Sequence, residues 1–235
     1  MEKVCCYCGK STSKETTLEH ILPEAVGFKE TLPVGAVCCS CNTAFNNNIE
    51  QKYFHREILS SAGLVLNEVD GKKGKRAQLG HSSMTPNGEL IVSGKGKVQG
   101  TSGSSHYHST SRLIAKCFLN ISIKHIGVGL TRAKMSEMIS FVTSPKTKEE
   151  IWPMAYYHVP ELSTPATYRV KPYINSSNVE SFICEIIWPG SIFCITSERN
   201  NQVHNLCKDV LDKFLNENPE SKKCTKFGFT IKHND

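Results

Sequence analysis

Val4-Cys5-Cys6-Tyr7-Cys8-Gly9, Leu18-Glu19-His20-Ile21-Leu22-Pro23 and Cys38-Cys39-Ser40-Cys41-Asn42 are three runs of a single stretch, which continues into a segment of helical spacing as far as Tyr53. Two cysteine knuckles frame one histidine. A C-x-x-C knuckle puts two thiolates on a tight turn with the bite that tetrahedral zinc requires at ~2.3 Å per sulfur, and two knuckles complete a closed four-thiolate site. Cys5, Cys8, Cys38 and Cys41 have that spacing. Cys6 and Cys39 leave open a shifted C-x-C frame, whose bite is poorer. Zinc held by four protein ligands keeps no position for water, so its role here is structural.

The order of residues in this stretch resembles the HNH endonucleases, a family of ββα-metal nucleases. It is closest to the branch that writes its first motif as Glu-His and carries four zinc cysteines. The motifs that carry the likeness are C-x-x-C, then Glu19-His20-Ile21-Leu22-Pro23-Glu24-Ala25, then C-x-x-C followed at once by Asn42. The resemblance implies a two-stranded ribbon and one helix pinched around a catalytic divalent cation over residues 1–62. It also implies roles. His20 matches the general base that takes a proton from the attacking water, a function that contributes about 10²–10⁴-fold. Glu19 matches the acidic residue that binds or orients the metal, and Asn42 a metal ligand at the helix start. Asn46 follows at i+4 on the same helix face. Oxygen ligands of this kind suit Mg²⁺ or Mn²⁺.

The chain departs from the family pattern in two places. Pro33 stands where many members have an asparagine that braces the base, and Asn46 stands where relatives often have glycine. With Asn47 and Asn48 adjacent, any of the three asparagines can serve as second ligand, and helix geometry favours Asn46.

The chain has 235 residues, which suits one or two domains. A module of about 60 residues builds only a small core, for which zinc compensates. No unbroken apolar run is long enough to cross a membrane. Cysteines arrive where the apolar stretch of a signal peptide would lie, so a cytosolic (cytoplasmic) protein is expected. In that compartment paired cysteines point to metal rather than disulfide. Cys117, Cys184, Cys194, Cys207 and Cys224 lack paired spacing and read as reduced core residues. Net charge is +6. Residues 1–62 hold 6 Lys+Arg against 7 Asp+Glu, and the remainder 22 against 15, or +7. Attraction to phosphate is thus expected mainly from the second part.

Taken in order, strands are expected at 15–20 and 34–37, a loop at 23–31 between them, and a helix from Asn42 with Phe45, Ile49 and Tyr53 on its apolar stripe and Gly63 as its stop. Short strands at 64–66, 78–84 and 89–92 alternate with glycine-lysine runs. Lys72, Lys73, Lys75, Arg76, Lys95 and Lys97 on those runs are candidate contacts to a nucleic-acid backbone. Residues 100–105 read as a linker, and His106 and His108 as members of an exposed Ser/His-rich loop able to offer ligands. The segment 106–126, with Leu113, Ile114, Cys117, Phe118 and Ile121, is the best buried helix. Its Arg112 to Asn120 part weakly resembles a helix downstream in nucleases of the same branch. A second helix at 132–141, strands at 155–159, 166–174, 181–188 and 191–196, a tight turn at Trp188-Pro189-Gly190-Ser191, a helix at 201–215 and a strand at 226–231 follow. The fold class is α+β: a zinc-stapled HNH module at 1–62 and a larger mixed α+β domain at 63–235.

The function expected from the resemblance is metal-dependent hydrolysis of DNA phosphodiester bonds, with duplex DNA as partner and restriction or another anti-phage defence as setting. Residues 63–235 would choose the target or control the enzyme. Three alternatives stand beside it. The second domain can sense a small-molecule or protein activator, the substrate can be RNA, or the chain can be a zinc-stabilised nucleic-acid-binding protein without catalysis. No membrane partner is expected. Double-strand cutting by a single-site module favours a two-fold homodimer.

Overall fold

The computed structural model describes residues 3–56, 77–79, 82–84, 90–92, 104–147, 150–158, 164–174, 180–199, 216 and 227–230. Its elements in chain order are a 3₁₀ turn at Glu24–Val26, α1 (Cys39–Phe45), a π-helical turn at Asn46–Glu50, α2 (Gln51–Arg56), three short strands β1 (Ala77–Leu79), β2 (Ser82–Met84) and β3 (Leu90–Val92), α3 (Ser104–Lys134), α4 (Ser136–Thr143), and strands β4 (Met154–His158), β5 (Thr167–Ile174), β6 (Glu180–Trp188), β7 (Ser191–Thr196) and β8 (Phe227–Thr230). This is a mixed α+β protein.

The N-terminal region is tied by few regular backbone bonds. Val4 bridges Ser11, and His20 bridges Thr31, both antiparallel. The ribbon that carries His20 therefore pairs residues 19–21 with 30–32, through Ile21 N–H to the Glu30 carbonyl (3.0 Å) and Leu32 N–H to the Glu19 carbonyl (2.7 Å). The expected partner strand at 34–37 is instead a turn built on Gly35 at φ +87°. Its backbone carbonyls are taken from a distance: Thr12 Oγ1 donates to the Gly35 carbonyl, and Cys6 N–H to that of Ala36. The following helix begins at Cys39, three residues earlier than the sequence reading had it. Phe45, Ile49 and Tyr53 are buried as that reading expected. The expected stop at Gly63 and strand at 64–66 lie outside the described residues.

α3 is the central element. Leu113, Ile114, Ala115, Cys117, Phe118, Leu119 and Ile121 are all buried, and so are Thr110, Ser111, Lys116 and Asn120. From Thr110 to Ile123 the helix is buried on nearly every side, as a core helix is, while Lys124, His125 and Leu130 beyond it are exposed. From His108 to Lys134 it is long and apolar enough to cross a membrane, which corrects the expectation drawn from unbroken apolar runs. Its buried part is surrounded by protein: one side meets the N-terminal region, and Ser111 meets Trp152, just before β4. Ser111 Oγ donates to the Trp152 carbonyl (2.9 Å) and accepts from Trp152 N–H (2.7 Å). The helix is broken at Gly127, whose φ of +79° and ψ of 165° are open to glycine and strained for residues with a Cβ. It starts at Ser104, so the expected Ser/His-rich loop is helix. His108 Nδ1 lies 2.5 Å from the Glu150 carbonyl oxygen, and its ring packs edge-on against Phe141. The second expected helix is shorter than read, because α3 continues to Lys134 and α4 starts at Ser136.

The five-stranded antiparallel sheet has the order β5-β6-β7-β4-β8. β7 is buried along its whole length and β6 from Ile183 on. That explains their near-continuous apolar sequences, since both faces are covered. The β6–β7 hairpin closes where Trp188 pairs with Ser191. Gly190 supplies φ +82° after Pro189, as a type II turn demands. The expected single strand at 78–84 is two, β1 and β2, paired with Leu79 opposite Ser82. The expected helix at 201–215 falls outside the described residues.

One continuous core joins the regions. It runs from Cys5, Ile21, Phe45 and Tyr53 through Leu113 and Phe118 to Trp152, Trp188 and Ile195. Tyr53 of α2 meets Trp188 of the sheet with ring centroids 6.2 Å apart.

Candidate active site

The two knuckles converge. The Sγ atoms of Cys5, Cys8, Cys38 and Cys41 all lie within 4.8 Å of one another. Cys8 and Cys38 are 3.6 Å apart, against about 3.8 Å between sulfurs of an ideal tetrahedral zinc site with 2.3 Å bonds. The donor set thus fits zinc. A side-chain hydrogen bond from Cys41 pulls the Cys5 thiol down to about 4 against the opposing effect of burial, and the same bond pushes Cys41 up. Cys6 lies outside the cluster, and burial pushes its thiol up to about 12 although Arg132 opposes this. Cys39 is exposed. The outer pairs form the four-cysteine cluster, and neither Cys6 nor Cys39 belongs to it. Cys117, Cys184 and Cys194 are buried, as read from the sequence. Cys207 and Cys224 lie outside the described residues.

Each knuckle is shaped locally. Gly9 N–H donates to the Cys5 carbonyl (2.9 Å) and Cys5 N–H to that of Lys10 (2.8 Å). Gly9 sits at φ +73°, and a Cβ there would lie 3.0 Å from Arg132 Nη2. Arg132 Nη1 donates to the carbonyls of Cys5 (3.1 Å) and Cys6 (2.6 Å). The second knuckle is the N-terminus of α1, with Asn42 N–H donating to the Cys38 carbonyl (3.0 Å).

The candidate catalytic residues stand close to that helix start. His20 is half-buried on the ribbon. Asn42 Nδ2 donates to the Leu18 carbonyl (3.1 Å), pinning α1 to the strand two residues before His20. That bond fixes the amide and leaves Oδ1 as its acceptor atom. Asn46, Asn47 and Asn48 are exposed at the start of the π-helical turn. Such turns occur frequently at functional sites. Glu19 is buried, and Lys116 Nζ pairs with its Oε1 and with Glu50 Oε1. Burial alone would lower the Lys116 pKa, but Glu50 and then Glu19 more than offset it, so the ammonium is held charged.

Sequence reasoning missed the groups that α3 brings here. Besides Lys116 and Arg132, Asn120 Nδ2 donates to Glu19 Oε1 (3.0 Å) and to the His20 carbonyl (2.9 Å). Tyr7, inside the first knuckle, donates through its hydroxyl to Asn120 Oδ1 (2.7 Å). The only sequence signal was the weak resemblance of the Arg112 to Asn120 part to a downstream nuclease helix. The lysines and arginine chosen as backbone contacts, Lys72, Lys73, Lys75, Arg76, Lys95 and Lys97, lie outside the described residues.

A four-cysteine cluster able to hold a metal, a histidine on a short ribbon and an asparagine in the first turn of the next helix lie together in this region. Residues 5–57 match the HNH endonuclease family model. The chain thus carries an HNH endonuclease domain, for which the substrate is a nucleic acid. The match stops before α3, so Lys116, Asn120 and Arg132 lie beyond it. No curated protein and no solved structure matches the chain.

Proposed function

We propose that the protein is a metal-dependent endonuclease that hydrolyses DNA phosphodiester bonds with His20 as general base. The observation that carries the reading is the Asn42 Nδ2 bond to the Leu18 carbonyl, which joins the start of the ligand-bearing helix to the strand of Glu19 and His20. His20 takes a proton from a water, whose oxygen attacks phosphorus as the 3′ oxygen leaves, giving a 5′-phosphate. A hard cation such as Mg²⁺ or Mn²⁺ supplies charge stabilisation at the phosphoryl and leaving oxygens when bound. Glu19, Asn42 and Asn46 offer it oxygen atoms. Among the described residues, the side-chain contacts of Glu19 with Lys116 and Asn120 fall on Oε1, which leaves Oε2 as the oxygen that would reach a metal. Residues 63–235, with net charge +7, serve target choice or control, and restriction or another anti-phage defence is the setting such an enzyme would serve.

The test is cleavage of supercoiled plasmid with Mg²⁺ or Mn²⁺, with His20→Ala as control and zinc content verified in both. Nicked or linear product from the wild type alone supports the reading. Equal cutting by both proteins removes His20 as base. If neither cuts while both hold zinc, an unactivated DNA nuclease is ruled out, which leaves an RNA substrate, a gated enzyme or a binding module.

A further inference from the structure

We propose that Asn120 of α3 is the positioning residue for His20, and that it takes from outside the module the bracing part for which the loop, with Pro33, has no asparagine. The proposal rests on the reading of His20 as the base.

Asn120 is fully buried, and its amide has no freedom of orientation. Both hydrogens of Nδ2 are committed, one to Glu19 Oε1 and one to the His20 carbonyl, while Oδ1 accepts from Tyr7 OH. A flipped amide would set its oxygen against two acceptors. The contacts themselves therefore define which atom is nitrogen.

Glu19 and His20 are consecutive, so one amide group holds the side chain of the first and the carbonyl of the second. On the other side of the ribbon, Leu32 N–H holds the Glu19 carbonyl and Ile21 N–H is bonded to the Glu30 carbonyl. The peptide groups on both sides of the His20 Cα are thereby fixed. The direction in which the imidazole leaves the backbone is fixed with them. Tyr7 lies between two cysteines of the first knuckle, so the chain of contacts runs from the zinc frame through Tyr7 and Asn120 to His20. Partners that orient a catalytic group are costly to remove even without touching substrate.

Asn120→Asp tests this, because it keeps the shape and replaces the double donor with an oxygen facing Glu19 Oε1 and the His20 carbonyl. Two readouts are made on zinc-loaded protein. One is kcat and KM for duplex cleavage. The other is the His20 imidazole resonances with ¹⁵N-labelled histidine, assigned by their loss in His20→Ala. The expected result is a kcat lowered by about 10–100-fold, KM within about threefold, and shifted His20 resonances, at wild-type zinc content. A folded Asn120→Asp protein with unchanged His20 resonances and unchanged kcat overturns the proposal. If that variant does not fold, Tyr7→Phe decides. It keeps both Nδ2 bonds but frees Oδ1, so a kcat loss of about 2- to 12-fold, the worth of one hydrogen bond, and a smaller resonance shift support the proposal. Unchanged resonances overturn it. If the wild type does not cut, the resonances alone decide. If His20→Ala cuts as well as the wild type, the base reading falls and the proposal with it.

Discussion

The N-terminal region and the five-stranded sheet are held together by opposite means. In the sheet, β5 to β7 are joined by continuous antiparallel ladders, and each strand is placed by the one next to it in sequence. Residues 3–56 have two isolated bridges, short helical pieces and one thiolate cluster. Beyond scattered side-chain and turn bonds of their own, they are ordered by side chains of α3, at sequence separations of about a hundred residues, as between Asn120 and Glu19. The residues that would do chemistry lie in the region with the least regular structure of its own. A site built this way gains positional control from remote groups, and it becomes sensitive to their loss.

Zinc removal is the strongest way to break the contrast. Structural zinc sites contribute about 10–16 kcal/mol of apparent binding energy that appears as folding energy. Chelation, or Cys38→Ser, is expected to abolish cleavage and make residues 3–56 protease-sensitive, while in a Trp188→Phe background the fluorescence of Trp152, whose indole is buried against Phe141 and donates to the Thr196 carbonyl, stays that of a buried indole. Loss of the Trp152 signal together with the module would show that the two regions fold as one unit.

Lys116→Met is next. It leaves two carboxylates without their shared cation, Glu19 nearly fully buried among them, and breaking a buried pair from one side costs about 3–5 kcal/mol, to be read by chemical denaturation. The pH dependence has a definite sign. Because the folded pKa of Lys116 is raised above its ordinary 10.5, its contribution is complete below about pH 10.5. It is lost as pH rises from there toward the folded value. Wild-type stability should therefore fall in the alkaline range by an amount missing from Lys116→Met, and equal alkaline slopes in the two proteins would contradict the buried pairing.

The smallest effect is expected from Gly9→Ala. The positive φ costs a residue with a Cβ about 1–2 kcal/mol, and the nearest atom to a new Cβ is Arg132 Nη2 at 3.0 Å, the end of a long side chain and not backbone. Melting temperature should drop modestly with zinc retained. A drop as large as that of Cys38→Ser would mean that the Arg132 clamp, and not the metal, sets the shape of the knuckle.

Much of this was legible in the residues. The four-cysteine cluster was, because C-x-x-C is a local geometry and its two copies needed only to meet. β5, β6 and β7 were legible for a related reason: apolar runs and Pro189-Gly190 mark strands and turn without reference to anything distant. The ribbon was misplaced because Gly35 and Ala36 give their carbonyls to Thr12 and Cys6, partners that periodicity does not reveal. His108 was read as exposed because its neighbours are serines, yet the helix that contains it is covered by Phe141 and the chain at Glu150.

The four-cysteine frame, the nuclease-type order of Glu19, His20 and Asn42, and the hairpins of the sheet could be read from the residues, since each depends on residues a few positions apart or on spacing within one motif. The tertiary structure alone decided that Lys116, Asn120 and Arg132 serve the N-terminal module. On an apolar helix these three read as a polar edge toward water. Lys116 and Asn120 are buried, and Arg132 half-buried, because Glu19, Glu50, His20 and the knuckle carbonyls meet them there, and a polar group is kept out of water only where such partners are in place.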